Sequence, residues 1–297
     1  MSAETGARMA DTTLEERRRK RESKRVEGQN ARSWLLVSAL QTSAFDRAQL
    51  GRADQIVLDL EDAIDASLKQ QARENVVGWL ESGGRAWVRI NDWTTVDWSD
   101  DIAALAGIPG LAGVMLAKTE AAEQVTDTFQ RLGGSTPVIT LIESALGIED
   151  AADIARARGA YRLAFGSGDY RRDTGASNTP LAMAYPRTRL VLASRIGGLP
   201  GPIDGPTVAS THPVLREQAA DAVALGMTGK LCLDTEQPAV INESMSPSPA
   251  DVAWAYDFLA EFEADGRVIR DGSDKPRLAR AETIKRRAEL FRIQPAG

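Results

Sequence analysis

Cysteine and histidine are almost missing from this 297-residue chain: Cys232 and His212 each stand alone. A single cysteine excludes a disulfide within the chain, and one residue of each type excludes a Cys/His metal cluster. Any mechanism built on a histidine must run through His212. That residue lies in Ser-Thr-His-Pro, which reads as a loop entering a helix at Pro213. Proton transfer is therefore assigned to carboxylates, Lys, Arg or metal-bound water. No apolar run approaches the ~20 residues of a membrane span. The amino terminus, Met1-Ser-Ala-Glu-Thr, lacks the apolar stretch of a signal peptide. Its basic run from Arg17 to Arg25 is interleaved with Glu15, Glu16, Glu22 and Glu27, unlike an acid-poor transit peptide, so a cytoplasmic location is expected. Excess positive charge is absent too. The net charge of −6 argues against nucleic acid as the main ligand, since phosphate binding needs a concentrated basic surface. An anionic small molecule is still allowed, because one or two arginines or a metal can hold one.

What the chain does contain is enough apolar sequence, 43% of residues, to bury a full core. Short β-rich runs alternate with helical stretches: Trp34 to Leu40, Gln55 to Leu60, Ala86 to Ile90, Gly113 to Leu116, Val138 to Ile142, Tyr161 to Phe165, Gly201 to Asp204 and Lys230 to Leu233. Several are apolar on consecutive residues, as strands buried on both faces should be. Helical segments between them include Lys69 to Glu81, Thr119 to Leu132, Glu149 to Ala157 and Pro213 to Leu225. Eight strand-then-helix repeats predict an α/β fold of the (β/α)₈ barrel type. An open doubly wound sheet is the runner-up. Its dinucleotide version needs a Gly-x-Gly-x-x-Gly turn where this chain has Gln41-Thr-Ser-Ala. The expected organisation is a polar arm over 1–30, read as a solvated helix or loose arm, a barrel over 31–245, and a helical extension or lid over 246–297 with helices near Asp251 to Glu263 and Arg277 to Leu290.

In such a barrel the reacting groups gather at the carboxyl ends of the strands. Seven of the eight runs end in ionisable residues: Asp59-Leu60-Glu61-Asp62, Arg89-Ile90-Asn91-Asp92, Ala117-Lys118, Glu143-Ser144, Gly166-Ser-Gly-Asp169, Asp204-Gly205 and Asp234. Polar loops explain charge beyond a strand. They do not explain charge at the last residues of buried runs, where it is costly unless paired or bound to metal. Glu143 and Asp169, from adjacent strands, can share one octahedral Mg²⁺ and leave sites for water and substrate, with Gly166 and Gly168 letting the backbone pass close beneath the ion. A 2-oxo acid can chelate that metal, and Arg89 can neutralise the oxygen that becomes negative as a carbon–carbon bond breaks or forms. Asp59, Glu61 and Asp62 then serve to orient Arg89, Lys118 and metal-bound water.

An ordered series of segments resembles the citrate lyase beta-subunit family, within the HpcH/HpaI aldolase / citrate lyase superfamily. It runs from about Arg32 to Leu290 and comprises Arg32-Ser-Trp-Leu, Ala53-Asp-Gln-Ile-Val-Leu-Asp-Leu-Glu-Asp-Ala, Val88-Arg-Ile-Asn, Leu141-Ile-Glu-Ser, Ala164-Phe-Gly-Ser-Gly-Asp, Arg187-Thr-Arg-Leu-Val-Leu-Ala and Gly229-Lys-Leu-Cys-Leu. The resemblance implies Mg²⁺, or Mn²⁺ in its place, on Glu143 and Asp169. It implies Arg89 on the substrate oxygens; Glu143 and Arg32 are further candidates for binding the substrate, and Asp59, Glu61, Asp62 and Lys118 are candidates for the catalytic set with Arg89. It also implies a coenzyme A thioester as substrate and a homo-oligomer, trimeric or hexameric, in which an acidic residue of the extension reaches a neighbour's site. Asp274 matches that residue, with Asp271 as the alternative. The chain departs from the family at Ser38, Ala117, Gly168 and Asp234-Thr235, and in a shortened loop at Asp271 to Asp274.

The expected function is a metal-dependent lyase that cleaves or forms a citryl-, malyl- or citramalyl-like 3-hydroxyacyl-CoA, giving a 2-oxo acid and an acyl-CoA. Two alternatives stay open. One is a pyruvate-type aldolase that uses a free aldehyde without coenzyme A. The other is a catalytically weak barrel that acts as a subunit.

Overall fold

In the computed structural model, which describes residues 14–208 and 211–296, eight parallel strands close into a barrel in sequence order. The strands are β1 (Ser33–Ser38), β2 (Gln55–Asp59), β3 (Ala86–Ile90), β4 (Leu111–Leu116), β5 (Val138–Ile142), β6 (Ala160–Phe165), β7 (Ile203–Asp204) and β8 (Gly229–Cys232). Two of the predicted runs, β3 and β5, match to the residue, and the others differ by one or two at their ends. The β1–β8 pairing, Trp34 opposite Leu231, closes the ring. Because all eight strands are parallel, their carboxyl ends share one rim and residues just before them share the other.

The interior is packed with side chains. Trp34, Val57, Trp87, Met115, Ile139 and Leu231 form its buried centre, and fully burying one such side chain stabilises the fold by roughly 1.5–3 kcal/mol. Trp34 and Trp87 meet edge to face at 5.4 Å. The Trp87 ring occupies the space that a Cβ on Gly113 would need, and the two residues are direct partners in the sheet. The amino-terminal rim is closed by Arg162, which is fully buried and donates to the carbonyls of Gly28, Ala31 and Gly201 and to Thr228 Oγ1.

Helices follow the strands as the spacing predicts. Lys69–Glu81 is helical over the predicted range and buries Lys69, Ala72, Val76 and Leu80 along one stripe, the i, i+3, i+7, i+11 pattern of a helix packed on a sheet. The predicted stretch from Glu149 to Ala157 is broken instead into Ala145–Glu149 and Ala151–Arg156. The first thirteen residues of the expected arm lie outside the described residues. Residues 14–22 are helical, and the arm's arginines hold carbonyls of the barrel: Arg21 those of Gly51 and Ala53, Arg25 those of Gln49 and Asp54. Among the described residues no helix is long and apolar enough to cross a membrane.

The chain divides into two compact units after Ser244. The second holds helices Pro249–Ala264 and Asp274–Phe291, joined through Ala255, Phe258 and Ala281 with Trp254, Leu259, Leu278 and Ile284. Ser248 caps the first of these helices by accepting from Asp251 N, and Arg280 both pairs with Asp251 and covers Trp254.

Candidate active site

Five consecutive strand ends, β2 to β6, build one charged site at the carboxyl-terminal rim. Arg89, the fourth residue of β3, is opposite Asp59 in the sheet register. Its fork lies bidentate on that carboxylate, Nε to Oδ1 at 2.7 Å and Nη2 to Oδ2 at 2.6 Å, while Nη1 pairs with Glu61 at 3.2 Å. A guanidinium has five N–H donors, so donors remain for a ligand after these contacts. Desolvation works against the Arg89 charge, yet the surrounding carboxylates raise its pKa above the ordinary arginine value. Glu61 also receives the ammonium of Lys118, which pairs with Asp62 at 3.1 Å as well. Burial raises the Glu61 pKa despite Arg89. Burial also opposes ionisation of Asp62, but hydrogen bonds with Glu61 and Lys118 overcome it and lower its pKa.

Lys118 has a left-handed backbone, φ 49°, a conformation that costs a non-glycine residue about 1 kcal/mol. The turn aims its N–H at Glu143 Oε1, 2.8 Å away. Glu143 itself is buried. Desolvation pushes its pKa up to about 8, the Lys118 N–H opposes the shift, and the negative charges of Glu61 and Asp169 add to it. Gly166 lies directly against Glu143: a Cβ there would fall 3.0 Å from Glu143 Cδ, with Oε2 and Cβ nearer still. Gly168, by contrast, has open space around its missing side chain. Asp169 stands in the first turn of the helix Ser167–Thr174. One of its oxygens pairs with Arg172 at 3.2 Å. The other, Oδ2, is buried with no hydrogen-bond partner.

Lys118, Glu143 and Asp169 line one cavity of about 450 Å³, a small-molecule size. Arg89, Asp59 and Glu61 are linked to it through Lys118. The cavity suits a hard cation. It offers two like-charged carboxylates, an orphaned buried oxygen on Asp169, and a seat for Glu143 that exists only because Gly166 has no side chain. Among the described residues no group of three or more His, Cys, Asp or Glu could hold a metal. Mg²⁺ does not require one, since it binds through one or two carboxylates and keeps several waters.

Other residues read from the sequence as candidates do not line this cavity. Arg32 precedes β1 and sits at the amino-terminal rim, bidentate on Asp54 at 2.8 and 3.0 Å. The substrate-binding role expected for it is corrected to a structural one, because a parallel strand puts its first and last residues on opposite rims. Asp204 is consumed by Arg187 and Lys230, at 2.8 and 2.6 Å in full burial. Asp234 is exposed and accepts from Glu236 N in a turn. His212 begins the helix His212–Ala224 and is exposed. Asp274 belongs to the second unit, where its Oδ2 accepts from Arg270 N at 2.9 Å.

The cavity also takes residues that carried no charge at a strand end or lay beyond it. Asp173 lines it one turn after Asp169 and accepts from Ala145 N at 2.8 Å. Ser144 donates to Glu120 at 2.5 Å and caps the helix Ala145–Glu149. Together they brace the turn after Glu143 from both sides. The i, i+4 spacing of Asp169 and Asp173 was the available signal.

Comparison with known proteins adds to this geometry. The HpcH/HpaI aldolase/citrate lyase family model matches residues 32–235, and the HpcH/HpaI aldolase C-terminal domain model matches residues 250–292. A citrate lyase subunit beta-like protein of Mycobacterium tuberculosis is 33% identical over 86% of this chain and 94% of its own. An L-malyl-CoA/beta-methylmalyl-CoA lyase of Cereibacter sphaeroides is 29% identical over 83% of this chain and 91% of its own. The crystal structure of the M. tuberculosis protein CitE with magnesium, acetoacetate and coenzyme A superposes with a TM-score of 0.74, at 29% identity over 88% of this chain and 99% of that one.

Proposed function

The chain belongs to the HpcH/HpaI aldolase/citrate lyase family, and from that membership we propose how its rim of charges works. The protein is a metal-dependent carbon–carbon lyase acting on a coenzyme A thioester, with Mg²⁺ as its metal. In our reading a citryl-, malyl- or citramalyl-like 3-hydroxyacyl-CoA is cleaved to a 2-oxo acid and an acyl-CoA, or formed from them. The observation that carries the site assignment is the buried, unpartnered Asp169 Oδ2 beside Glu143 in the cavity shared with Lys118.

Glu143 and Asp169 would hold the metal. When bound, Mg²⁺ supplies positive charge that polarises the carbonyl of the 2-oxo acid. Arg89, its orientation locked by Asp59, offers its remaining N–H donors to the substrate oxygen that gains negative charge. Lys118, tethered by Glu61 and Asp62, adds a second positive charge at the cavity wall. In the cleavage direction a base takes the substrate hydroxyl proton. The carbon–carbon bond then breaks with its electron pair passing to the thioester enolate, and a proton returns to the enolate carbon. Asp274, its pKa lowered by the Arg270 N–H, is our candidate for moving a proton, supplied by a neighbouring subunit. The homo-oligomer this requires is supported by an exposed apolar stripe on the helix Pro180–Ile196, formed by Leu181, Tyr185, Leu192 and Ile196. We also place the protein in the cytoplasm, a reading that a chain with one buried cysteine and no disulfide to form fits.

The test is a panel of citryl-, malyl- and citramalyl-CoA with Mg²⁺, monitored for 2-oxo acid. We expect release from at least one thioester, lost with EDTA and in Glu143→Ala and Asp169→Ala. No 2-oxo acid from any thioester, or release indifferent to EDTA, would overturn the reading. Condensation of pyruvate with a free aldehyde in the absence of coenzyme A would favour the aldolase alternative.

A further inference from the structure

Lys69 is buried at the start of its helix, where a lysine would ordinarily reach solvent. Its ammonium donates to Leu60 O at 2.7 Å, Glu61 O at 2.8 Å and Asn91 Oδ1 at 2.6 Å, which uses all three of its donors. Asn91 returns a bond to Leu60 O at 3.2 Å and gives Asp101 Oδ2 both its side-chain N–H, at 2.6 Å, and its backbone N–H, at 2.9 Å. Asp101, fully buried, takes Arg73 on its other oxygen at 3.2 Å. Arg73 reaches the surface, where it also pairs with Asp97 and Asp100. A continuous polar chain therefore runs from the helix Val96–Leu105, across the ends of β3 and β2, to the backbone of Glu61.

None of Lys69, Asn91 and Asp101 lines the active cavity. The carbonyls that Lys69 and Asn91 grip belong to the turn that carries the Glu61 carboxylate, and that carboxylate holds both Arg89 and Lys118. Burying charge in this way is poor value as stability, but a fully satisfied buried network fixes one conformation. We propose that Lys69 is a positioning residue that acts through Glu61. It pins the turn after β2 so that Glu61 presents Arg89 and Lys118 to the substrate. The choice of ligand in the test rests on the function proposed above; the role of Lys69 does not.

The experiment compares wild type, Lys69→Met, Glu61→Gln and the double variant in the full chain. One arm measures pyruvate affinity by calorimetry in saturating Mg²⁺, and the other measures amide hydrogen exchange. Lys69→Met should weaken pyruvate binding about tenfold, the usual scale for losing a group that orients a contacting residue. In the Glu61→Gln background the same change should add less than twofold, because both substitutions break one link. Exchange should quicken at residues 117–119, far along the chain from Lys69, as well as at 60–62. Exchange confined to 60–69, or effects that multiply independently of Glu61, would overturn the proposal. Should Lys69→Met fail to fold, Asp101→Asn disturbs the same chain at the member beyond Asn91. It should quicken exchange at 60–62 and at 117–119, and its failure to do so would equally overturn the idea. A wild type that binds no pyruvate would count against the functional reading, while the exchange arm would still decide the role of Lys69.

Discussion

Gly166→Ala adds one carbon at the seat of Glu143. Gly166 has φ −86°, which other residues tolerate, so its missing side chain serves space and not backbone freedom. The new Cβ would fall 3.0 Å from Glu143 Cδ and closer to its Oε2 and Cβ. Carbon pairs prefer ~3.5–4.0 Å, so Glu143 must retreat by at least about half an ångström. Rotation of the carboxylate cannot relieve the contact at Cβ, which is fixed by the end of β5. Overpacking of this kind costs about 1–3 kcal/mol, against which the unfolded-state gain of a Gly→Ala change returns only about 0.4–1 kcal/mol. The variant should therefore melt lower and bind metal on the order of ten- to a hundredfold more weakly. Gly168→Ala, with nothing near its Cβ, is the matched control and should keep wild-type metal affinity. Mn²⁺ titration by electron paramagnetic resonance, with thermal melts on the same samples, reads both effects. Wild-type metal affinity in Gly166→Ala would refute the argument that this glycine makes the seat.

The pH dependence of the metal-free protein follows from Glu143. Its folded pKa of about 8 lies above the unfolded carboxylate value, so the protonated form favours the fold. That contribution is complete below the unfolded pKa and is lost as pH rises through about 8. In EDTA the stability difference between wild type and Glu143→Gln should shift against wild type between pH 5 and 8.5, by at most about 4 kcal/mol. A difference that stays flat across that window in urea melts would contradict the assignment. Arg32→Met should lower stability by about 3–5 kcal/mol, because it strands the buried Asp54 carboxylate. Its pyruvate affinity should match wild type by calorimetry, and loss of that affinity in a stably folded variant would return Arg32 to the site.

The strand ends show where reading residues in order succeeds and where it stops. Asp59, Arg89 and Glu143 are charges set in apolar runs, and burial without a partner is costly enough that such residues announce a site. Asp204 gives the same signal, yet in the fold it is neutralised by Arg187, 17 residues away, and Lys230, 26 residues away. Only three-dimensional proximity separates the two cases. Lys69 and Asp101 were silent for the opposite reason: each sits in a helix among other polar residues and looks solvated. Gly166 and Gly168 were indistinguishable as a pair, since what differs is whether Glu143 fills the space beside them.

The order of apolar runs and helical stretches determined the barrel by itself, because strand and helix periodicities are local and consecutive βα units can close in few ways. The same order put five charged strand ends on one rim, since parallel strands leave no choice of end. Tertiary structure decided which of those charges face one another and which are spent on structure. It also decided that one carboxylate oxygen of Asp169 would be left without a partner. Those outcomes depend on distances between residues far apart in the chain, and Coulomb and desolvation energies depend on distance and burial, which a linear sequence does not carry.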